Sequence, residues 1–214
     1  MQALIARASI SELARRGVDL VGQRVLEIGA GRGGYSAVLV ESGAQVVVSD
    51  LVRHEALDPA LEFVPLDATR SFPFPDGVFD FVYCSSVIEH LVDPTVLLPE
   101  ARRVLRPGGQ MMLSFPPFYS LFLVGGHEFK PWHLLGRRIA IRMRNRRKGR
   151  AIADYADAGL HPLRISDVKA LIDRAGLATV ATWTRLLPLN TTRLPSLAAD
   201  LVTWHACWLL EDLH

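Results

Sequence analysis

The sequence predicts an α/β protein built on a doubly wound, mostly parallel sheet, and three observations carry that expectation. An apolar run, Val25-Leu-Glu-Ile28, empties directly into the glycine-rich turn Gly29-Ala-Gly-Arg-Gly-Gly34. A strand feeding such a turn brings backbone N–H groups to a ligand beside the N-terminus of the next helix. Short apolar strands and amphipathic helical segments then alternate along the chain. A second apolar run, Val46-Val-Val-Ser49, ends in Asp50, 17 residues past Gly33, which is the strand-plus-helix spacing of a βαβ unit.

Taken in order, residues 3–16 read as an amphipathic helix, followed by strand 24–28, helix 34–42, strand 45–49, a short helix near 53–60 and strand 62–65. Strand 79–84 precedes helix 93–105, with Pro107-Gly-Gly as its stop signal, and strand 110–115 follows. Helix 166–175 and strand 177–184 complete the pattern. The 214 residues, 50% hydrophobic and 21% charged, fit one domain over residues 1–214 with a sizeable core.

Composition narrows the classes further. Twenty-four basic against 22 acidic residues leave a formal charge of +2, so no strong field for nucleic acid covers the whole chain. Two cysteines, Cys84 and Cys207, supply neither a disulfide framework nor a metal spacing, which points to a reducing, cytoplasmic setting. The N-terminus lacks a signal-peptide pattern. The apolar stretch Met111 to Gly126 contains Pro116 and Pro117, and Leu197 to Leu210 is interrupted by Asp200 and His205, so no membrane span is expected.

The glycine turn alone leaves the ligand open, because Gly29, Gly31 and Gly34 also satisfy the dinucleotide spacing. Glu27 favours another ligand. A carboxylate just before the turn repels a pyrophosphate but pairs with a cationic amino-acid group, and an acid inside an apolar strand needs a partner. Asp50 can accept two ribose hydroxyls, although a helix-cap or turn role also fits it, as a turn role fits Asp67.

On these residues the chain resembles the class I S-adenosylmethionine-dependent methyltransferases. Val25 to Gly33 is similar to their first motif, Val46 to Asp50 to the second strand, Leu66-Asp67-Ala68 to the adenine loop, Phe79 to Cys84 to the fourth strand, and Leu105 to Ser114 to the turn and fifth strand. The resemblance spans roughly residues 20–116. It implies a seven-stranded-type sheet, S-adenosylmethionine as cofactor, and cofactor contacts from Glu27, Gly29, Gly31, Gly33, Asp50, Asp67, Ala68 and Cys84.

Beyond Ser114 the likeness to the common core stops, so residues 115–163 are expected to be an insertion that shapes the acceptor site. Gly125-Gly-His-Glu-Phe-Lys-Pro-Trp-His133 concentrates two imidazoles, a carboxylate and a tryptophan. Hydroxyl methylation needs a group to take the proton, and aromatic faces pack on sugars or rings. The segment resembles the acceptor loop of actinobacterial sugar and small-molecule O-methyltransferases, the methylmannose polysaccharide type among them. That implies a sugar or glycoside acceptor, with His133, His127 or His90 as base and Tyr119, Glu128 and Trp132 lining it. Each also has a plain reading, as core, turn or helix-start residues.

Glu89-His90 resembles the metal cluster of some ubiquinone-pathway O-methyltransferases, with Ser86 where their first Glu stands. Magnesium at Glu89 and His90 is therefore an expectation. Seven arginines and one lysine between Arg137 and Arg150 read as a solvated helix face or lid ahead of a nucleic-acid grip. The last twenty residues, with Trp204, His205 and Trp208, fit a substrate cap or a homodimer surface. Remaining alternatives are a nucleic-acid or protein methyltransferase and a non-catalytic S-adenosylmethionine-binding partner subunit.

Overall fold

The computed structural model describes residues 2–121, 127–185 and 189–212. Seven strands form one sheet: β1 (Arg24–Ile28), β2 (Gln45–Asp50), β3 (Glu62–Pro65), β4 (Phe79–Ser85), β5 (Leu105–Phe115), β6 (Ala178–Thr184) and β7 (Ala206–Glu211), in the order β3-β2-β1-β4-β5-β7-β6. The first five pair in parallel, and β7 runs antiparallel to both β5 and β6. Strand order reverses between β1 and β4, which opens a crevice at their carboxyl ends.

Helices cover both faces. Alternate residues of each strand point to opposite sides, so Val25, Phe81, Tyr83 and Met112 pack beneath α1 (Gln2–Arg15) and α2 (Gly34–Glu41). Leu26, Val82, Cys84 and Leu113 instead face α3 (Leu97–Val104), α5 (Ile165–Ala175) and α6 (Ser196–Val202). The insertion folds around a small core of its own: Phe118, Phe129 and Tyr155 pack with Ala140 and Ile141 of α4 (Arg137–Lys148). No described helix is long and apolar enough to cross a membrane.

Several expected elements differ. Residues 53–60 form turns rather than a helix, because Pro59 disfavours helical backbone at Asp58, whose carboxylate accepts the Ala60 N–H at 2.9 Å. The helix expected over 93–105 begins only at Leu97, after an Asp93-Pro94-Thr95 turn in which Asp93 accepts the Thr95 N–H at 2.9 Å. It ends at Val104, and β5 runs through Pro107-Gly-Gly, so these residues belong to the strand. The C-terminal segment supplies β7, a strand inside the sheet with Trp208 stacked on Phe115. The basic run is helical, yet Ala140, Ile141 and Arg144 are buried on it.

Candidate functional site

The turn after β1 explains its glycines. Gly29 and Ala30 both donate backbone N–H bonds to the Ser49 carbonyl, at 2.8 and 3.0 Å, which folds the turn back over the end of β2. Gly29 has φ +77°, and a Cβ there would lie 2.2 Å from Val87 Cγ2. Beneath the turn, the buried Glu27 carboxylate accepts a 2.5 Å bond from Ser36 Oγ of α2. Burial raises its pKa to about 7 against the opposing Ser36 bond, with the nearby Asp50 charge adding to the rise.

Above it lies a cavity of about 720 Å³ bounded by Gly29, Gly31, Asp50, Asp67, Ala68 and Ser86, with Leu51, Leu66 and Leu91 as apolar walls. Asp50 Oδ2 accepts the Gly31 N–H at 2.9 Å and Oδ1 the Leu51 N–H at 2.7 Å, which fixes the carboxylate at the rim. Asp67 accepts both the Thr69 hydroxyl and its N–H, and those bonds lower its pKa. An apolar slot flanked by two carboxylates suits a nucleoside, whose base is planar and whose ribose presents two hydroxyl donors. A diphosphate would meet Asp50 at the rim; Glu27, 2% exposed, lies behind Ile28 and Gly29 and does not itself line the cavity.

Residues 26–113 match the model of the methyltransferase domain family. That stretch carries the likeness to a methyltransferase domain. Over 109 residues the chain is 40% identical to a demethylmenaquinone methyltransferase of Clavibacter sepedonicus, covering 46% of this chain and 44% of that protein. It is 32% identical over 177 residues to an uncharacterized methyltransferase of Mycobacterium leprae, covering 79% of this chain and 64% of the relative. The chain thus matches less than two thirds of the length of either of these curated relatives. The fold is shared with an S-adenosylmethionine-dependent methyltransferase of Mesorhizobium loti, at a TM-score of 0.64 and 19% identity over 95% of this chain and 97% of that one.

The fold does not bring all the expected residues to the cavity. Cys84 is fully buried in the core beside α3 and α5 and is not among the residues that bound the cavity, and burial raises its pKa. Gly33, with φ +81°, caps α2 and gives room to Leu57, outside the cavity wall.

Acceptor-side residues divide similarly. His90, His127, Glu128 and Phe129 border a second cavity of about 370 Å³, and His90 lines the larger cavity as well. The His90 and His127 rings lie edge to face, 5.7 Å between centroids, and His90 Nδ1 is 2.6 Å from the Gly159 carbonyl. Burial, then His90 and Lys130, lowers the His127 pKa to about 4, and its Nε2 is buried with no hydrogen-bond partner among the described residues. Glu128 is paired with Arg144 at 2.9 Å. The other histidine, His133, is buried, with Nε2 3.2 Å from the Ser120 carbonyl and its ring against Phe118. Trp132 and Tyr119 pack on the insertion's core, and Gly125 and Gly126 lie outside the described residues.

Glu89 and His90 do not fit a hard divalent cation. Glu89 is buried, its two oxygens have no hydrogen-bond partner among the described residues, and burial lifts its pKa to about 8. Its nearest approach to His90 is 4.0 Å, and among the described residues no group of three His, Cys, Asp or Glu side chains is placed to hold a metal. The two non-glycine residues with positive φ among the described residues, Ser86 at 59° and His127 at 45°, border the two cavities. Local strain of this kind gathers where a site must aim its groups. Nothing in the sequence pattern singles out either backbone, nor the buried Arg185 at the carboxyl end of the sheet.

Proposed function

We propose that this chain transfers a methyl group from S-adenosylmethionine to a hydroxyl oxygen of a small organic acceptor, with a sugar or glycoside as the acceptor class. The observation that carries the reading is His90: one side chain borders both the nucleoside-type cavity and the smaller histidine-lined cavity, so ligands in the two meet there.

When bound, S-adenosylmethionine supplies an electrophilic methyl carbon on a positively charged sulfur. Asp50 would take the ribose hydroxyls, Asp67 and Ala68 would border the base, and Glu27 would offer its carboxylate to the amino group. His127, held neutral by burial, would accept at Nε2 the proton that the acceptor hydroxyl loses as it takes the methyl group. His90 walls the junction and orients the hydroxyl. Positioning carries most of the rate enhancement, and the base adds roughly 10²- to 10⁴-fold. Glu89 and His90 act here without a magnesium ion.

Labelled methyl transfer to glycosides, phenols, quinols and RNA tests this reading. Transfer to a glycoside hydroxyl is expected. The name of the Clavibacter sepedonicus relative places demethylmenaquinol in the panel, and its methylation ahead of every glycoside would replace the sugar assignment. Cofactor binding without turnover on any acceptor would favour a partner subunit.

A further inference from the structure

The cleft between α1 and β6 is lined by four arginines, Arg15, Arg16, Arg185 and Arg193, against one carboxylate, Glu12, around a cavity of about 580 Å³. Glu12 is already engaged, by Arg15 at 3.2 Å and Arg16 at 2.6 Å. Arg16 lies over the Trp183 ring at 4.4 Å, which fixes its plane against the wall.

Arg185 is the unusual member. It follows β6 directly and is only 6% exposed. Its guanidinium donates to the Tyr35 hydroxyl at 2.9 Å, Ser85 Oγ at 3.0 Å and Ser114 Oγ at 2.8 Å. All three acceptors are neutral, and among the described residues no carboxylate forms an ion pair with it; the buried Glu89 carboxyl feels its charge without pairing with it. A guanidinium does not discharge by losing its proton, so a buried one without an opposite charge is costly to keep. Among the described residues the Nε atoms of Arg185 and Arg16 are buried without a geometric hydrogen-bond acceptor, and the Arg185 side chain also interacts with the Cys207 thiol. Four guanidinium groups around one cavity, with its single lining carboxylate already engaged, match the oxygens of a carboxylate or phosphoryl group.

We propose that this cleft is an oxyanion site, binding the carboxylate or phosphate group of an organic molecule with Arg185 as its buried counter-charge and Arg16 as its second donor. Its test reads binding alone, so its failure leaves the methyl-transfer reading untouched. Ser85 adjoins Ser86 of the nucleoside-type cavity wall, so the oxyanion can belong to a molecule shared with that cavity or to a separate one.

The wild-type protein is titrated by calorimetry with inorganic phosphate, benzoate and benzamide at low ionic strength. Phosphate or benzoate should bind at least tenfold more tightly than benzamide. Arg16→Gln should weaken the oxyanion at least tenfold, as should Arg185→Gln where circular dichroism shows it folded, while Arg147→Gln on the distant α4 should leave it unchanged. Equal binding of benzoate and benzamide with none of phosphate, undiminished affinity in Arg16→Gln, or an equal loss in Arg147→Gln would overturn the site. Repeating the titration with saturating S-adenosylhomocysteine separates the sources. Exclusion of phosphate assigns the oxyanion to the cofactor's own carboxylate, and joint binding assigns it to another molecule; both support the site.

Discussion

The His90 and His127 rings meet edge to face with centroids 5.7 Å apart, while His133 turns into the insertion's core against Phe118. His127→Ala should therefore lower kcat by about 10²-fold with cofactor affinity near wild type. His133→Ala should lower thermal stability, by about 1–3 kcal/mol, with a smaller effect on kcat. Because burial holds the His127 pKa near 4, its neutral base form persists as pH falls from 8 to 6, so no loss of rate from its protonation is expected in that interval. Full activity in His127→Ala, read by single-turnover kinetics, removes it as the base.

Glu27 couples cofactor binding to pH. Its pKa is raised from 4.5 to about 7 by burial, so between those values the folded state holds a proton that the unfolded state has lost. Stability of the ligand-free protein should fall as pH rises through that window, by at most about 1.4 kcal/mol for each pH unit crossed. Glu89, raised to about 8, pulls the same way. A cationic amino group favours the ionised Glu27, so affinity for S-adenosylhomocysteine should climb up to about tenfold per pH unit below pH 7 and level off above it. Calorimetry in buffers of different ionisation enthalpy should show proton release at pH 6, and Glu27→Gln should abolish it. No release in the wild type would separate Glu27 from the amino group.

Asp50 is held at the rim by the Gly31 and Leu51 N–H groups, leaving its remaining acceptor capacity for a ribose. Asp50→Ala should cost about 1.5–3 kcal/mol of S-adenosylhomocysteine affinity, the worth of hydrogen bonds to a charged acceptor. Unchanged affinity by calorimetry would take Asp50 out of the cofactor site.

Chelation bears on the Glu89–His90 pair. With Glu89 buried and its pKa near 8, excess chelator should leave methyl transfer undiminished. A loss restored by magnesium would place a cation on donors that include the acceptor itself.

Legibility followed the range of the interactions. β1, its glycine turn and β2 can be read from the chain because their signals are local: a short apolar run, residues that tolerate positive φ, and an acid at the next strand's end. β7 could not, because Ala206 to Leu210 is apolar throughout and buried on both faces, so it shows neither strand alternation nor a helical stripe. Arg185 reaches Ser85 and Ser114 only through the antiparallel register that sets Thr184 against Ala206, and no local pattern encodes that pairing. His127 and His133 share one motif, yet the turns over His127–Phe129 and Trp132–Leu135 send them to different surroundings. The packing of Phe118 and Phe129 in the insertion's core, rather than sequence spacing, separates a cavity histidine from a core one.

Gly29 tests whether the cofactor turn depends on backbone shape or on space. Two penalties meet there: φ of +77°, and a Cβ that would fall 2.2 Å from Val87 Cγ2. Gly29→Ala should destabilise the protein by more than about 2 kcal/mol, since overpacking and left-handed strain each cost on the order of 1–3 kcal/mol. Val87→Ala removes the clashing methyl group but leaves φ untouched. In the Gly29→Ala, Val87→Ala double variant the clash should therefore disappear while the strain remains, leaving it roughly 1–3 kcal/mol below Val87→Ala alone in urea unfolding. S-adenosylhomocysteine affinity should fall with it, because Gly29 and Val87 both wall the larger cavity. A double variant as stable as Val87→Ala would show that the turn tolerates a side chain once space is made, and that its left-handed backbone is not what calls for glycine.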